Sequence, residues 1–133
     1  MTSPQLESMA AIAKDPSRSE DERTDAIHAL AHFPPEEAVP ILIDLMSDDA
    51  LSVRWAAANV IRKFGKAMLI PLLRAIATRP GNAFFYESAH HALVRFGDPK
   101  TEAILEPVLQ ALKQHPSSST AAVEAMEALK ALE

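Results

Sequence analysis

Two residue pairs in this chain stand four positions apart with side chains able to bind a metal or move a proton: His28 with His32, and Glu87 with His91. On a helix that spacing puts both groups on one face. Two imidazoles, or an imidazole and a carboxylate, can then share a metal ion or act as a base and its acidic partner. The surroundings argue against both chemistries. No His-Glu-x-x-His motif is present, no Cys can supply a thiolate, and His90-His91 is followed by Ala92. Serine chemistry fares no better, because no Gly-x-Ser-x-Gly turn occurs and Ser117–Ser119 stand where a helix is expected to start, a place where hydroxyls cap. Glu20, Asp21, Glu22, Glu36 and Glu37 fall in first helical turns, where the positive helix end accounts for them. Three Gly in the whole chain leave no glycine-rich phosphate loop. The expectation is no catalytic residue, no metal and no cofactor, with histidines that meet solvent or a partner.

The elements that position these residues follow from periodicity. Ala57, Ile61 and Phe64 have counterparts in Ala26, Leu30 and Phe33, in Ala89, Leu93 and Phe96, and more weakly in Ala125, Leu129 and Leu132. The last residue of each set recurs at intervals of 31, 32 and 36 residues. A fixed period in this range marks stacked helical hairpins, which present surfaces rather than catalytic pockets. Apolar residues keep helical spacing almost throughout, so eight helices are expected. They run over about Pro4–Lys14, with Ser3 as cap, then Glu20–Phe33, Pro35–Met46, Leu51–Phe64, Lys66–Thr78, Ala83–Phe96, Pro99–Gln114 and a last helix to the end. Pro34-Pro35, Gly65 and Gly97 terminate helices. Pro40, Pro71 and Pro107 recur inside the odd-numbered helices, where a bend or a late start is expected.

The second hairpin carries Val53-Arg54-x-Ala56-Ala57-x-x-Val60-Ile61-x-x-Phe64-Gly65, preceded by Pro40, Leu42, Leu45, Asp48 and Asp49. These residues resemble the HEAT repeat, in the short form also found in phycobilisome lyases, whose second helix reads Val-Arg-x-x-Ala-Ala-x-Ala-Leu-Gly-x-Ile-Gly. The resemblance implies an all-α fold, a right-handed α-solenoid of about four HEAT-like helical hairpins. It implies one domain over residues 1–133, with repeats near 3–33, 35–64, 66–96 and 98–132. The third hairpin departs from the pattern: it lacks the turn Asp and has Tyr86 in the place of Arg54. The iron-binding hydroxylases of HEAT type carry His-Glu dipeptides, which this chain lacks.

In such a stack the second helices line the concave side. Aligning the first three hairpins gives outward rows of Thr24, Trp55 and Glu87, then His28, Asn59 and His91, then His32, Lys63 and Arg95, with Arg62 beside them. Trp55 replaces a residue that the family usually keeps polar, and an exposed Trp is a common interface anchor. It is equally suited to packing across the seam between two helices. Phe85 aligns with core Val53, whereas Phe84 and Tyr86 are free either to form an apolar edge or to fill the space left by the missing Arg.

The formal net charge of −5 argues against a nucleic-acid-binding surface. The lack of a long apolar run argues against a membrane span, and the first residues do not read as a signal peptide, so the cytoplasm is expected. Taken together these readings predict a non-enzymatic protein–protein interaction scaffold or adaptor, with an otherwise unspecified protein partner favoured by the basic rim to be acidic. Its binding residues are expected to be Trp55, Asn59, Arg62, Lys63, His28, His32, Glu87, His91 and Arg95. A monomer is favoured over a homodimer. The alternative is a bilin lyase-like or chromophore-handling protein, implied by the resemblance alone.

Overall fold

The computed structural model describes residues 3–79, 82–113 and 119–133. The chain winds through α1 (Pro4–Lys14), α2 (Glu20–Ala29), a 3-10 turn (Leu30–His32), α3 (Pro35–Leu45), α4 (Leu51–Arg62), α5 (Lys66–Thr78), α6 (Ala83–Leu93), α7 (Pro99–Leu112) and α8 (Thr120–Leu132). It is an all-α, HEAT-like solenoid. Local chemistry starts the helices as expected at α1, where Ser3 Oγ accepts from the Leu6 N–H, 3.1 Å away. A capping box between Ser19 and Glu22 starts α2. Ser119 holds the N-cap position of α8 without a side-chain cap bond; Ser117, Ser118 and Gln114 lie outside the described residues.

Two helices end earlier than expected. The second helix stops at Ala29 and tightens to a 3-10 turn, because Phe33, ahead of Pro34, is forced to extended geometry with ψ of 159°. The sixth ends at Leu93 and not at Phe96, with Val94 extended and Arg95 left-handed at φ 55°. The internal prolines neither interrupt nor delay their helices: α3, α5 and α7 run through Pro40, Pro71 and Pro107. Each of these prolines has a solvent-accessible surface, and so does the residue four positions back, Glu36, Ala67 or Ala103.

The first-helix row packs α1, α3 and α5 in succession, and the second-helix row packs α2, α4 and α6. Between the rows lies one apolar cluster running from Leu6 to Ala128, with Leu30, Leu42, Ile61, Leu72 and Phe85 wholly buried. Arginines brace the first two hairpins along the edge of the stack. Arg23, 4% exposed, donates from Nε to the Ala13 carbonyl at the end of α1 and pairs with Asp48 in the turn after α3. Asp48 also accepts from the Ala50 N–H. Arg54 donates to the carbonyls of Asp48 and Asp49 at 2.7 and 3.0 Å, and its guanidinium lies 3.8 Å above the Phe84 ring. Asp44 adds a more exposed link, pairing with Lys14 of α1 and with Arg79 beyond α5.

The third hairpin, which lacks that brace, is where the regular order changes. α5 and α6 touch only narrowly, and the broadest neighbour of α5 is α8, while α7 packs on α6. The last hairpin is therefore placed the other way round: α7 extends the second-helix row and α8 extends the first. Ala121, Ala125 and Ala128 are the buried residues of α8, and such small side chains allow a close approach to the large apolar residues of α5. Tyr86 fills the space of the missing Arg and is 4% exposed, so it belongs to the core and not to an outer edge. Phe84, 41% exposed, is the one of the pair that stays at the surface.

Arg23→Ala removes two buried donors and strands Asp48, and it is expected to lower the free energy of unfolding by about 3 kcal/mol. Lys14→Ala, which removes an exposed ion pair, should cost less than about 1 kcal/mol. Urea denaturation of both variants checks the ranking.

Candidate functional site

A groove of about 420 Å³ lies on the second-helix row, bounded by α4, α6 and α7. Trp55 forms one wall; Tyr86, Glu87, His90, His91 and Val94 line the α6 side, with Ala83 at its start; Leu112 and Lys113 close the far wall. That far wall exists because α7 stands beside α6. Leu112 and Lys113 at the end of α7 share this lining with α6, where the Lys113 charge bears on His90, and Arg62 at the end of α4 meets the end of α6.

The aligned row of Asn59 and His91 is physically connected. His91 Nε2 and Asn59 Oδ1 are 2.7 Å apart, and the Trp55 and His91 rings meet edge to face with centroids 4.4 Å apart. Trp55 is thus held by packing and is still partly exposed at the groove. Burial pushes the His91 imidazole below its ordinary value of 6.5, and the nearby Arg62 and His90 add to the shift. His90 moves the same way, through burial first and then Lys113, against an opposing pull from Glu106. Both rings are therefore neutral at neutral pH, and His91 Nε2–H can donate to Asn59.

Arg62 has a different role from an open contact residue. Its Nη1 donates to the carbonyls of His91 and Val94 at 2.6 and 2.8 Å, closing the end of α6 from the neighbouring hairpin. Lys63 and Arg95 lie exposed just past the ends of α4 and α6, and neither forms an ion pair among the described residues. Glu87 is exposed on the groove. His28 is exposed on α2, and no hydrogen bond ties it to Asn59. His32 sits in the 3-10 turn, so the α-helical four-residue register with His28 is lost. No group of three or more His, Asp or Glu residues suited to a metal occurs among the described residues. Sequence alignment of the rows did not bring in Ala83, Tyr86, His90, Val94, Leu112 or Lys113. Lys113 and Leu112 carried no signal, because a regular stack would put their helix in the other row.

A lowered imidazole value in the folded state means that the unfolded chain takes up the proton first. Stability contributed by neutral His90 and His91 is then present above about pH 6.5, declines as the pH falls through that value, and levels off below the folded values. His91→Gln, which keeps an amide for Asn59, is expected to flatten part of this decline. Urea denaturation at about pH 7.5 and about pH 5 measures it. Arg62→Ala leaves two end carbonyls of α6 without their donor and should cost about 2 kcal/mol at either pH.

Comparison with known proteins agrees with this architecture. The family model described as HEAT repeats matches residues 6–93 and stops at the end of α6, just before the hairpin that reverses. No curated protein and no solved structure matches the chain. By its repeated helical hairpins and this match over most of its length, the chain belongs to the HEAT-repeat family.

Proposed function

We propose that this chain is a non-enzymatic protein–protein interaction scaffold or adaptor, one domain of four hairpins near 3–33, 35–64, 66–96 and 98–132, and that its partner docks on the exposed face of the second-helix row. The observation that carries this reading is Trp55, held edge-on by His91 at the mouth of a groove and still partly open to solvent. A large aromatic side chain fixed in place contributes contact area at little cost in conformational entropy. The HEAT-repeat family supports the reading at the coarser level, because stacked helical repeats present extended surfaces. Around Trp55 we assign binding roles to Asn59, Lys63, Glu87, His91 and Arg95, with His28 and His32 farther along the row and Arg62 as the residue that holds the α6 end in place. No described helix is long and apolar enough to cross a membrane. The reading places the protein in the cytoplasm as a monomer whose partner is another protein and not nucleic acid.

Affinity capture from the native host's lysate, with wild type beside a Trp55→Ala, Lys63→Glu double variant, tests this. A protein retained by wild type and lost by the folded variant is expected; equal capture by both would overturn the docking face. A second test uses Arg95, a non-glycine residue held left-handed at φ 55°. Arg95→Gly is expected to stabilise the fold by up to about 1 kcal/mol while weakening partner binding. Thermal denaturation and binding of the captured partner read the two effects separately.

A further inference from the structure

Two short segments, residues 62–66 and 94–100, meet at the edge of the stack where one hairpin passes to the next. Arg62 Nη1 donates to the Val94 carbonyl, 2.8 Å away. Arg62, Gly65 and Lys66 share a cleft with Ala92 and Phe96, and Lys66 Nζ stands 3.8 Å from an Asp98 carboxylate oxygen. Together the segments hold Arg62, Lys63, Lys66, Arg95 and Lys100, with Asp98 as their one carboxylate, in a chain of net charge −5. Arg62 is engaged with main-chain carbonyls, and the other four cations are exposed. Lys63, Arg95 and Lys100 form no ion pair among the described residues, and the Lys66–Asp98 pair is long and open to solvent.

Fold stability accounts for one of these four cations and not for the rest. Lys63 follows the C-terminal end of α4, where the negative end of the helix favours a cation. Lys66 and Lys100 hold the first and second positions of α5 and α7, at the positive end. There the field favours carboxylates, and α1, α2 and α3 do carry acidic residues in their first turns. Arg95 stands in the left-handed region at φ 55°, which suits glycine. Three exposed cations thus sit where the fold disfavours them, and all three belong to one junction. Residues that break a local rule together mark a surface kept for binding.

We propose, building on the scaffold reading, that this junction holds an acidic segment of the protein partner, whose carboxylates meet Lys63, Lys66, Arg95 and Lys100. Opposite charge draws the segment to the one strongly cationic edge of an acidic protein. The patch is short. Glu36 shares a surface groove with Ala67 on one side, and Glu102 stands in the first turn of α7 on the other. A long polyanion such as a nucleic-acid strand would run onto these carboxylates, and like charges brought together are costly. Phe64 and Phe96 pack against the core, so they offer no free ring for a base to stack on. A compact run of carboxylates meets neither obstacle.

The probes are a fluorescein-labelled Glu-rich peptide of about ten residues, a Lys-rich peptide of the same length and a single-stranded oligonucleotide of similar reach, followed by fluorescence anisotropy at low ionic strength. The Glu-rich peptide is expected to bind saturably and to weaken as salt is added. A Lys66→Ala, Lys100→Ala variant should bind it about tenfold more weakly. Its thermal midpoint should stay level or rise, because two cations leave positive helix ends. A Lys14→Ala, Arg74→Ala variant removes the same charge from exposed sites on α1 and α5, and its affinity should change less than about twofold. Unchanged binding by the folded Lys66→Ala, Lys100→Ala variant, an equal loss in the control, or a lowered midpoint would overturn the assignment. Equal binding of the Lys-rich peptide would do the same, and tighter binding of the oligonucleotide would give the patch to nucleic acid instead. A lysate partner that depends on Trp55 but is kept by the Lys66→Ala, Lys100→Ala variant would overturn the patch inference and leave the scaffold reading standing. Loss of that Trp55 dependence would remove the scaffold reading itself.

Discussion

Main-chain carbonyls at helix ends have no partner within their own helix, and a stack of short helices multiplies such ends. This protein supplies donors from the neighbouring helix, through arginine. Arg23 serves the end of α1, Arg54 serves the turn after α3, and Arg62 serves the end of α6. Guanidinium suits the task because its donors lie in a fixed plane, so one group can satisfy two acceptors or join a carbonyl to a carboxylate. Arg23 and Asp48 do the latter, tying the first hairpin to the turn of the second. The rows of helices, and whatever surface they offer, depend on these ends meeting in register.

Where the brace is missing, the architecture changes. The third hairpin has Tyr86 in place of Arg54, its helices touch narrowly, and the uncovered face of α5 is taken by α8. The alanine-rich buried face of α8 fits that position, since it can approach the Leu-rich α5 closely. α7 is left to continue the other row. The last hairpin of this sequence is thus turned around relative to the first three. This also ends the open row of second helices in a wall, so that a flat helical surface becomes a groove at Trp55.

The groove joins structure to chemistry through His91. The His91 imidazole bonds to Asn59 and packs on Trp55, while the main-chain carbonyl of the same residue accepts from Arg62. Neutral, it lets the aromatic wall and the braced helix end coexist. The residues that shape the surface therefore also carry part of the stability.

The sequence alone determined the repeat. Local signals suffice for that: periodic Ala, Leu and Phe specify amphipathic helices, and Pro and Gly punctuate them. Strong local signals also identified Phe85 as core and the Trp55 and His91 rows as neighbours. What local signals do not contain is the choice between two packings of equal helical pattern. Whether α7 or α8 covers α5 depends on side-chain fit between segments about fifty residues apart, and neither helix shows that choice in its own spacing. Likewise an Arg on a helix face looks the same in sequence whether it meets solvent, as Arg95 does, or a neighbour's carbonyls, as Arg62 does. Only the tertiary structure decided those two matters, because each is settled by a partner brought close by the fold and not by the chain next to it.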